Sequence, residues 1–379
     1  MKTEGIRNGF STNSSAQEAI DEIWEQTTQP DAKLTVLYCS PSYDLTALAR
    51  RVRERFADST VIGCTTAGEF GPGGYLDQSI SAFSIGGPTF EAVTGTLDDL
   101  QRFDIPEGHG LTRKLLQELR AKGVQPSSRN TFGYLLIDGL SIREEIVASA
   151  LHGSMNDIPL FGGSAGDRLR FEKTMLFSNG EFLSDRAILS LVTTTRPFEV
   201  FKKQHFVESS VKLVITEADP ARRLVTEING EVACREYADA IGKDVQELGP
   251  DVFAAHPLVL SISGNSYVRS IQKVNEDGSL SFYCAIDEGI VLRVAEGKDI
   301  FNHLREALED IRRSIGEPAL IIGCDCVLRH LEYEQAGLKE AVGNLLRAYH
   351  VVGFSTYGEQ FNAMHVNQTF TGVAIGDAG

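Results

Sequence analysis

The chain has 379 residues, 42% hydrophobic and 23% charged, which excludes a disulfide-stapled miniprotein, a collagenous chain and a disordered tail, and leaves core for two or three domains. Asp plus Glu number 52 against 36 Lys plus Arg, a net charge of −16, so nucleic acid and anionic membrane surfaces are repelled at long range. Six cysteines are too few for a disulfide framework at this length and read as reduced thiols.

The first 29 residues mix Glu4, Arg7, Glu18, Asp21, Glu22 and Glu25 with few apolar ones, unlike a secretion signal. An apolar run at 34–39 predicts a strand, three- and four-residue apolar spacing over 45–56 a helix, and 60–63 a second strand entering the motif Gly63-Cys-Thr-Thr-Ala-Gly-Glu69. A β-like segment follows at 79–85. The series then returns, with a strand at 132–137, a helix at 143–151, a short entry at 158–161 and the motif Phe161-Gly-Gly-Ser-Ala-Gly-Asp167. After it, 173–192 is β-like with a turn at Ser178-Asn-Gly180. From 211 to 296 the pattern changes to alternating runs at 212–216, 224–228, 267–274 and 280–286, with hairpin turns at Asn229-Gly230 and Asp277-Gly278 and a helix over 231–241. A helix at 298–314 leads into a third copy: strand 319–323, helix 338–349, entry 350–353, motif Gly353-Phe-Ser-Thr-Tyr-Gly-Glu359 and β segment 368–375.

Strand, helix, strand within about 30 residues is a right-handed crossover with parallel neighbours. The expected fold is therefore α/β, with three βαβ-type repeats in mixed sheets and a β-rich insertion in the C-terminal half. Asp219-Pro220-Ala221 is a plausible boundary, dividing the chain into 1–219 with two repeats and 220–379 with the insertion and the third. The longest apolar runs are strand-sized, short of the roughly 20 residues a membrane helix needs, so the expected location is the cytoplasm.

Ligands collect at the carboxyl ends of parallel strands, where the three motifs are expected to share a crevice. Thr65, Thr66, Ser164, Ser355 and Thr356 supply directional hydrogen bonds there, and Glu69, Asp167 and Glu359 can meet an amine. The alternative is that the glycines serve tight turns and the acids cap the next segment. An acid stands where a phosphate loop needs lysine and a hydroxyl residue, which disfavours nucleotide triphosphates. Gly71-Pro-Gly-Gly74 lacks the flanks of a dinucleotide fingerprint and reads as a turn. Cys324-Asp-Cys326-Val-Leu-Arg329-His330 offers three zinc ligands where a closed site needs four, so both cysteines default to buried small hydrophobes. His330, on the crevice rim, is a candidate axial ligand for haem iron with Arg329 near a propionate; His350 and His365 compete. Gly162-Gly-Ser164-Ala-Gly166 has nucleophile-elbow spacing, but a β-like segment follows instead of a helix, which argues against a hydrolase.

These residues resemble the FIST sensory proteins, built from a FIST N-terminal domain and a FIST_C domain. The resemblance rests on the three motifs, on Arg223-Leu-Val-Thr-Glu-Ile-Asn-Gly230 and on Cys326-Val-Leu-Arg329. It implies an intracellular ligand-sensing module that is not an enzyme and that acts on a sensor histidine kinase or a cyclic-di-GMP enzyme. The chain is similar to a stand-alone subset that binds haem b and nitric oxide and controls biofilm dispersal. Two readings follow: a haem sensor ligated through His330, or a haem-free receptor for an amino acid or another small metabolite held by the glycine loops.

Overall fold

The computed structural model describes residues 2–262 and 264–377. In the first repeat, strand Ile6–Ser11 leads to helix α1 (Ala16–Thr27), strand Ala32–Cys39, α2 (Leu45–Arg55), strand Val61–Thr65, the hairpin Glu69–Gly71/Gly74–Leu76 and strand Ile80–Gly86. The second runs through Phe90–Asp98, α3 (Ile105–Ala121), Thr131–Ile137, α4 (Glu144–His152), Leu160–Ser164, the hairpin Leu176–Ser178/Glu181–Leu183 and Arg186–Thr194. The third opens on Phe198–Lys203 and is interrupted by the insertion, which carries α5 (Ala233–Ile241) and α6 (Pro250–Ala255). It resumes with α7 (Ile300–Ile315), Pro318–Cys326, α8 (Val327–Gln335), α9 (Lys339–Ala348), Val351–Thr356, the hairpin Glu359–Phe361/Met364–Val366 and Phe370–Gly376. Ser15, Asp44 and Asp299 cap α1, α2 and α7 by accepting backbone N–H groups of the first turn. Asn179 and Gly180, both at positive φ, make the tight turn expected of Asn-Gly.

Each repeat builds the same sheet. Its last strand lies between its leading strand and its central one, and the central strand pairs in parallel with the motif strand, as at Leu37↔Gly63, Leu135↔Gly162 and Gly323↔Gly353. The hairpin after each motif leaves its own sheet. The first pairs with the motif strand of the third sheet, the second with that of the first, and the third with that of the second. Exposed strand edges invite unwanted pairing, and this cyclic exchange covers the motif-strand edge of every sheet.

The three sheets turn their inner faces to one core, a prism filled by Val36, Tyr38, Ile62, Tyr134, Phe161, Ile188, Ile322, Phe354 and Val373. Tyr38 stacks on Phe354, Tyr134 stacks on Phe161, and the two buried tyrosine hydroxyls meet at 2.6 Å, which satisfies both. Helices cover the outer faces: α1 and α2 over the first sheet, α3 and α4 over the second, α7 and α9 over the third. The insertion folds around its own core, including Leu213, Ile215, Val225, Tyr237, Phe253 and Leu292.

The α/β class, the three crossovers and the β-rich insertion stand as expected. Three features differ. Every repeat is longer than its predicted unit, because a leading strand and a helix precede the central strand. Residues 327–335, to which the sequence reading gives no element, form α8: no breaker separates them from the apolar strand before, so the change of period from two to 3.6 is masked. Pro220 lies in a one-turn helix joining two paired strands, Phe206–Asp219 and Leu224–Ile228, inside the insertion's sheet.

Candidate functional site

The motif strands end together at one mouth of the prism, where the motif loops bond to each other in a closed cycle. Gly166 donates its N–H to the Thr65 carbonyl at 3.0 Å, Ala67 to that of Ser355 at 3.0 Å, and Tyr357 to that of Ser164 at 3.2 Å. A Cβ on Gly166 would crowd the Ala67 backbone at 2.9 Å, so only glycine fits there. The common crevice is thus a sealed ring.

Most predicted site residues serve this ring. Glu69 accepts hydrogen bonds from the Thr66 hydroxyl and from Ser79 through its hydroxyl (2.7 Å) and N–H (3.2 Å). Glu359 repeats the pattern with Thr356 and with Thr369 (2.7 and 3.2 Å). Both carboxyls are buried, and burial pushes them up to about 7 and about 8, against the hydroxyls and N–H groups that favour the charged form. Asp167 is not their counterpart. Strand registers align Ser164 with Thr65 and Ser355, which puts Asp167 opposite Gly68 and Gly358. The second repeat supplies its clamp from Asp138, which accepts from the Thr174 hydroxyl and the Leu140 N–H.

Asp167 instead organises a loop found only in the second repeat, residues 167–175. It accepts from the N–H groups of Phe171, Glu172 and Lys173 at 2.9, 2.7 and 2.9 Å and from the Tyr357 hydroxyl. Burial works to raise its pKa; the Tyr357 hydroxyl and these N–H groups outweigh it and leave the carboxyl below its ordinary value. Arg168, Leu169 and Phe171 all sit at positive φ, a strain of about 1–3 kcal/mol each. Phe171 stacks on Tyr357 at 4.6 Å, and Leu169 and Phe171 remain exposed. Between this loop, Thr65 and the start of α2 opens a cleft of about 170 Å³, lined by Pro41, Leu45, Thr65, Asp167, Arg170, Glu172, Lys173 and Met175. The side chains of Arg170 and Lys173 have no ion-pair partner among the described residues. Neither was singled out in the sequence, because the loop carries no motif.

Arg329 lies in α8, fully buried, bonded to Asp325 (2.7 Å), the Tyr333 hydroxyl (2.6 Å) and His205 Nδ1 (3.0 Å). Its donors are committed to the fold. His330 is 5% exposed, its pKa lowered by burial; Nδ1 lies 3.2 Å from the Ser355 hydroxyl, Nε2 is 3.2 Å from Glu334, and the Tyr75 ring covers it at 4.5 Å. Ser355, Glu334, Tyr75 and Gly68 all lie against this ring, so a porphyrin would have to displace them and His330 does not fit haem. His365 is buried against Gly358 and is pushed down to about 4 by burial. His350 differs: Nδ1 donates to the Pro318 carbonyl at 2.8 Å, which leaves Nε2 as the free nitrogen, and the residue lines a cleft of about 440 Å³ with Arg347, Asn8, Gly71, Pro72 and Val351. Cys324 and Cys326 are buried free thiols whose pKa burial raises. The Ser164 hydroxyl accepts from Gln360 at 2.9 Å, and the same Gln360 nitrogen, not the hydroxyl, meets His365 Nδ1 at 3.1 Å.

No helix among the described residues is long and apolar enough to cross a membrane. The chain is similar to the uncharacterized protein MJ1623 of Methanocaldococcus jannaschii, 23% identical over 354 residues, which covers 83% of this chain and 67% of that one. The FIST N domain model matches residues 33–231 and the FIST C domain model residues 233–362. Motifs that tie three repeats into one ring, an insertion within the third repeat, and these two matches across most of the sequence agree: the chain belongs to the FIST family of signal-sensing domains.

Proposed function

We propose that the chain senses a small carboxylate-bearing or zwitterionic metabolite, of amino-acid size, in the cleft beside Thr65 and Asp167. The observation that carries this is the pair of unpartnered cations, Arg170 and Lys173, on a strained loop over a cleft of about 170 Å³. At about 30 Å³ per water, that is room for five or six waters' worth of solute. Residues held in sparsely populated backbone conformations cluster at ligand clamps and switches. A ligand carboxylate drawn between the two cations would shift the loop, and with it Phe171, which packs on the third motif through Tyr357. Leu169 and Phe171 are then the apolar contacts that change for a partner such as a sensor histidine kinase or a cyclic-di-GMP enzyme. Thermal unfolding in the presence of single amino acids and small carboxylates tests this. A ligand at 100 times its Kd adds about 2.7 kcal/mol, and the gain is expected to vanish in Arg170→Ala/Lys173→Ala.

A second reading, haem b with nitric oxide as the signal, is favoured by the free Nε2 of His350 and the neighbouring Arg347. His350 would hold the iron and Arg347 a propionate; haem would supply the gas-binding metal. A Soret band lost in His350→Ala and kept in His330→Ala would support it.

A further inference from the structure

The ring places an equivalent hydroxyl, Thr65, Ser164 or Ser355, beside a niche between one repeat and the next. The niche at Thr65 is the open cleft. The niche at Ser355 is filled, since Tyr75 and His330 both reach that hydroxyl. The niche at Ser164 is neither open nor satisfied. Its walls are Gln360, His365 and Asn367 from the third hairpin and Arg269 from the insertion, all at most 5% exposed. Gln360 Nε2 reaches both Ser164 Oγ (2.9 Å) and His365 Nδ1 (3.1 Å), and Arg269 donates to the His365 carbonyl at 3.1 Å. His365 Nε2 and Asn367 Nδ2 both lie against Gly358, at 2.6 and 3.1 Å from where a Cβ would stand.

Eight buried side-chain atoms among the described residues lack a hydrogen-bond partner, and four belong to this one cluster: Gln360 Oε1, Asn367 Oδ1, Asn367 Nδ2 and Arg269 Nε. Leaving a buried polar group unpaired costs about 1–3 kcal/mol, and such groups in native proteins are otherwise matched. Concentration in one niche therefore points to an occupant. The niche presents donors at Asn367 Nδ2 and Arg269 Nε, acceptors at Asn367 Oδ1 and Gln360 Oε1, and an imidazole held neutral by burial. A carboxamide has the complementary set, one C=O and one NH₂ on adjacent positions, and needs no counter-charge.

We propose that the Ser164 niche is a second ligand site, distinct from the cleft, that takes a small amide- or urea-bearing solute through Asn367. Arg269 closes it from the insertion, so occupancy also ties the insertion to the ring. The test is calorimetric titration of the full chain with nicotinamide, acetamide, urea and N-methylurea, none of which carries the carboxylate that the cations of the cleft would bind. At least one is expected to bind, with affinity reduced tenfold or more in Asn367→Leu, and the lack of a carboxylate on every probe separates this site from the cleft. Should Asn367→Leu fail to fold, Arg269→Met serves as the second variant with the same expected loss. Absence of binding by all four, binding insensitive to both niche variants, or a crystal structure grown with the best probe showing only water at Asn367 would overturn the proposal.

Discussion

Glu69 and Glu359 show how a residue type can be read from sequence while the choice between two roles, meeting a ligand amine or capping the next segment, is made by the fold. Spacing alone puts a carboxylate behind each glycine motif, and a carboxylate at a loop tip suits a ligand amine. What decides the outcome is the next strand, whose Ser79 or Thr369 turns hydroxyl and N–H onto the carboxyl and uses it up. That partner lies ten residues on and is visible only once the hairpin folds back. The same pairing sets a pH dependence. Both groups have folded pKa values above their ordinary 4.5, at about 7 and about 8, so the folded state holds the protons more tightly than the unfolded one. Their stabilising contribution is full below about pH 4.5 and is lost as pH rises through 7 and 8. Glu359→Gln, which mimics the protonated acid, is expected to flatten the fall in Tm between about pH 5 and 8 relative to wild type. A parallel, equally steep decline in the variant would show that Glu359 ionises freely in the fold.

The exchanged hairpins and the insertion act at the level of elements. Central strands, crossovers and the Asn179-Gly180 turn were legible because hydrophobic period and turn chemistry are local. The exchange was not, since a hairpin's sequence states that it pairs and not with which sheet. The insertion is fastened by Arg223, which reaches Glu144 and, at 2.7 Å, Glu145 at the start of α4. Glu144 is buried and, by burial set against Arg223, pushed up to about 7. Removing the cation strands a buried acid, at a cost of about 3–5 kcal/mol. Arg223→Met is therefore expected to lower stability by that amount and to open residues 206–297 to proteolysis, and Glu144→Gln added to it should restore part of the loss. Unchanged protease resistance would mean that other contacts fasten the insertion.

At the scale of the molecule, three repeats that surrender their hairpins to one another form a single cooperative prism, whereas the insertion owns its core. Phe206 pairs with Gly297, so its two ends leave the prism side by side. The first two repeats make the same step, leading strand to helix, with short links at Ser11 to Ala16 and Asp98 to Ile105. Replacing 206–297 by four glycine-rich residues is expected to leave one cooperative unfolding transition; a broad or absent transition would show that the prism depends on it. The open cleft belongs to a place where the three-fold pattern is broken, the loop 167–175, and a search for recurrence cannot find a departure from it. The most direct test of sensing at that loop is thermal unfolding of wild type and Arg170→Ala/Lys173→Ala against a panel of amino acids and small carboxylates. The account predicts a rise of several degrees with one ligand class in wild type and none in the variant. A panel without effect, together with a haem-loaded Soret band that shifts on nitric oxide, would contradict it.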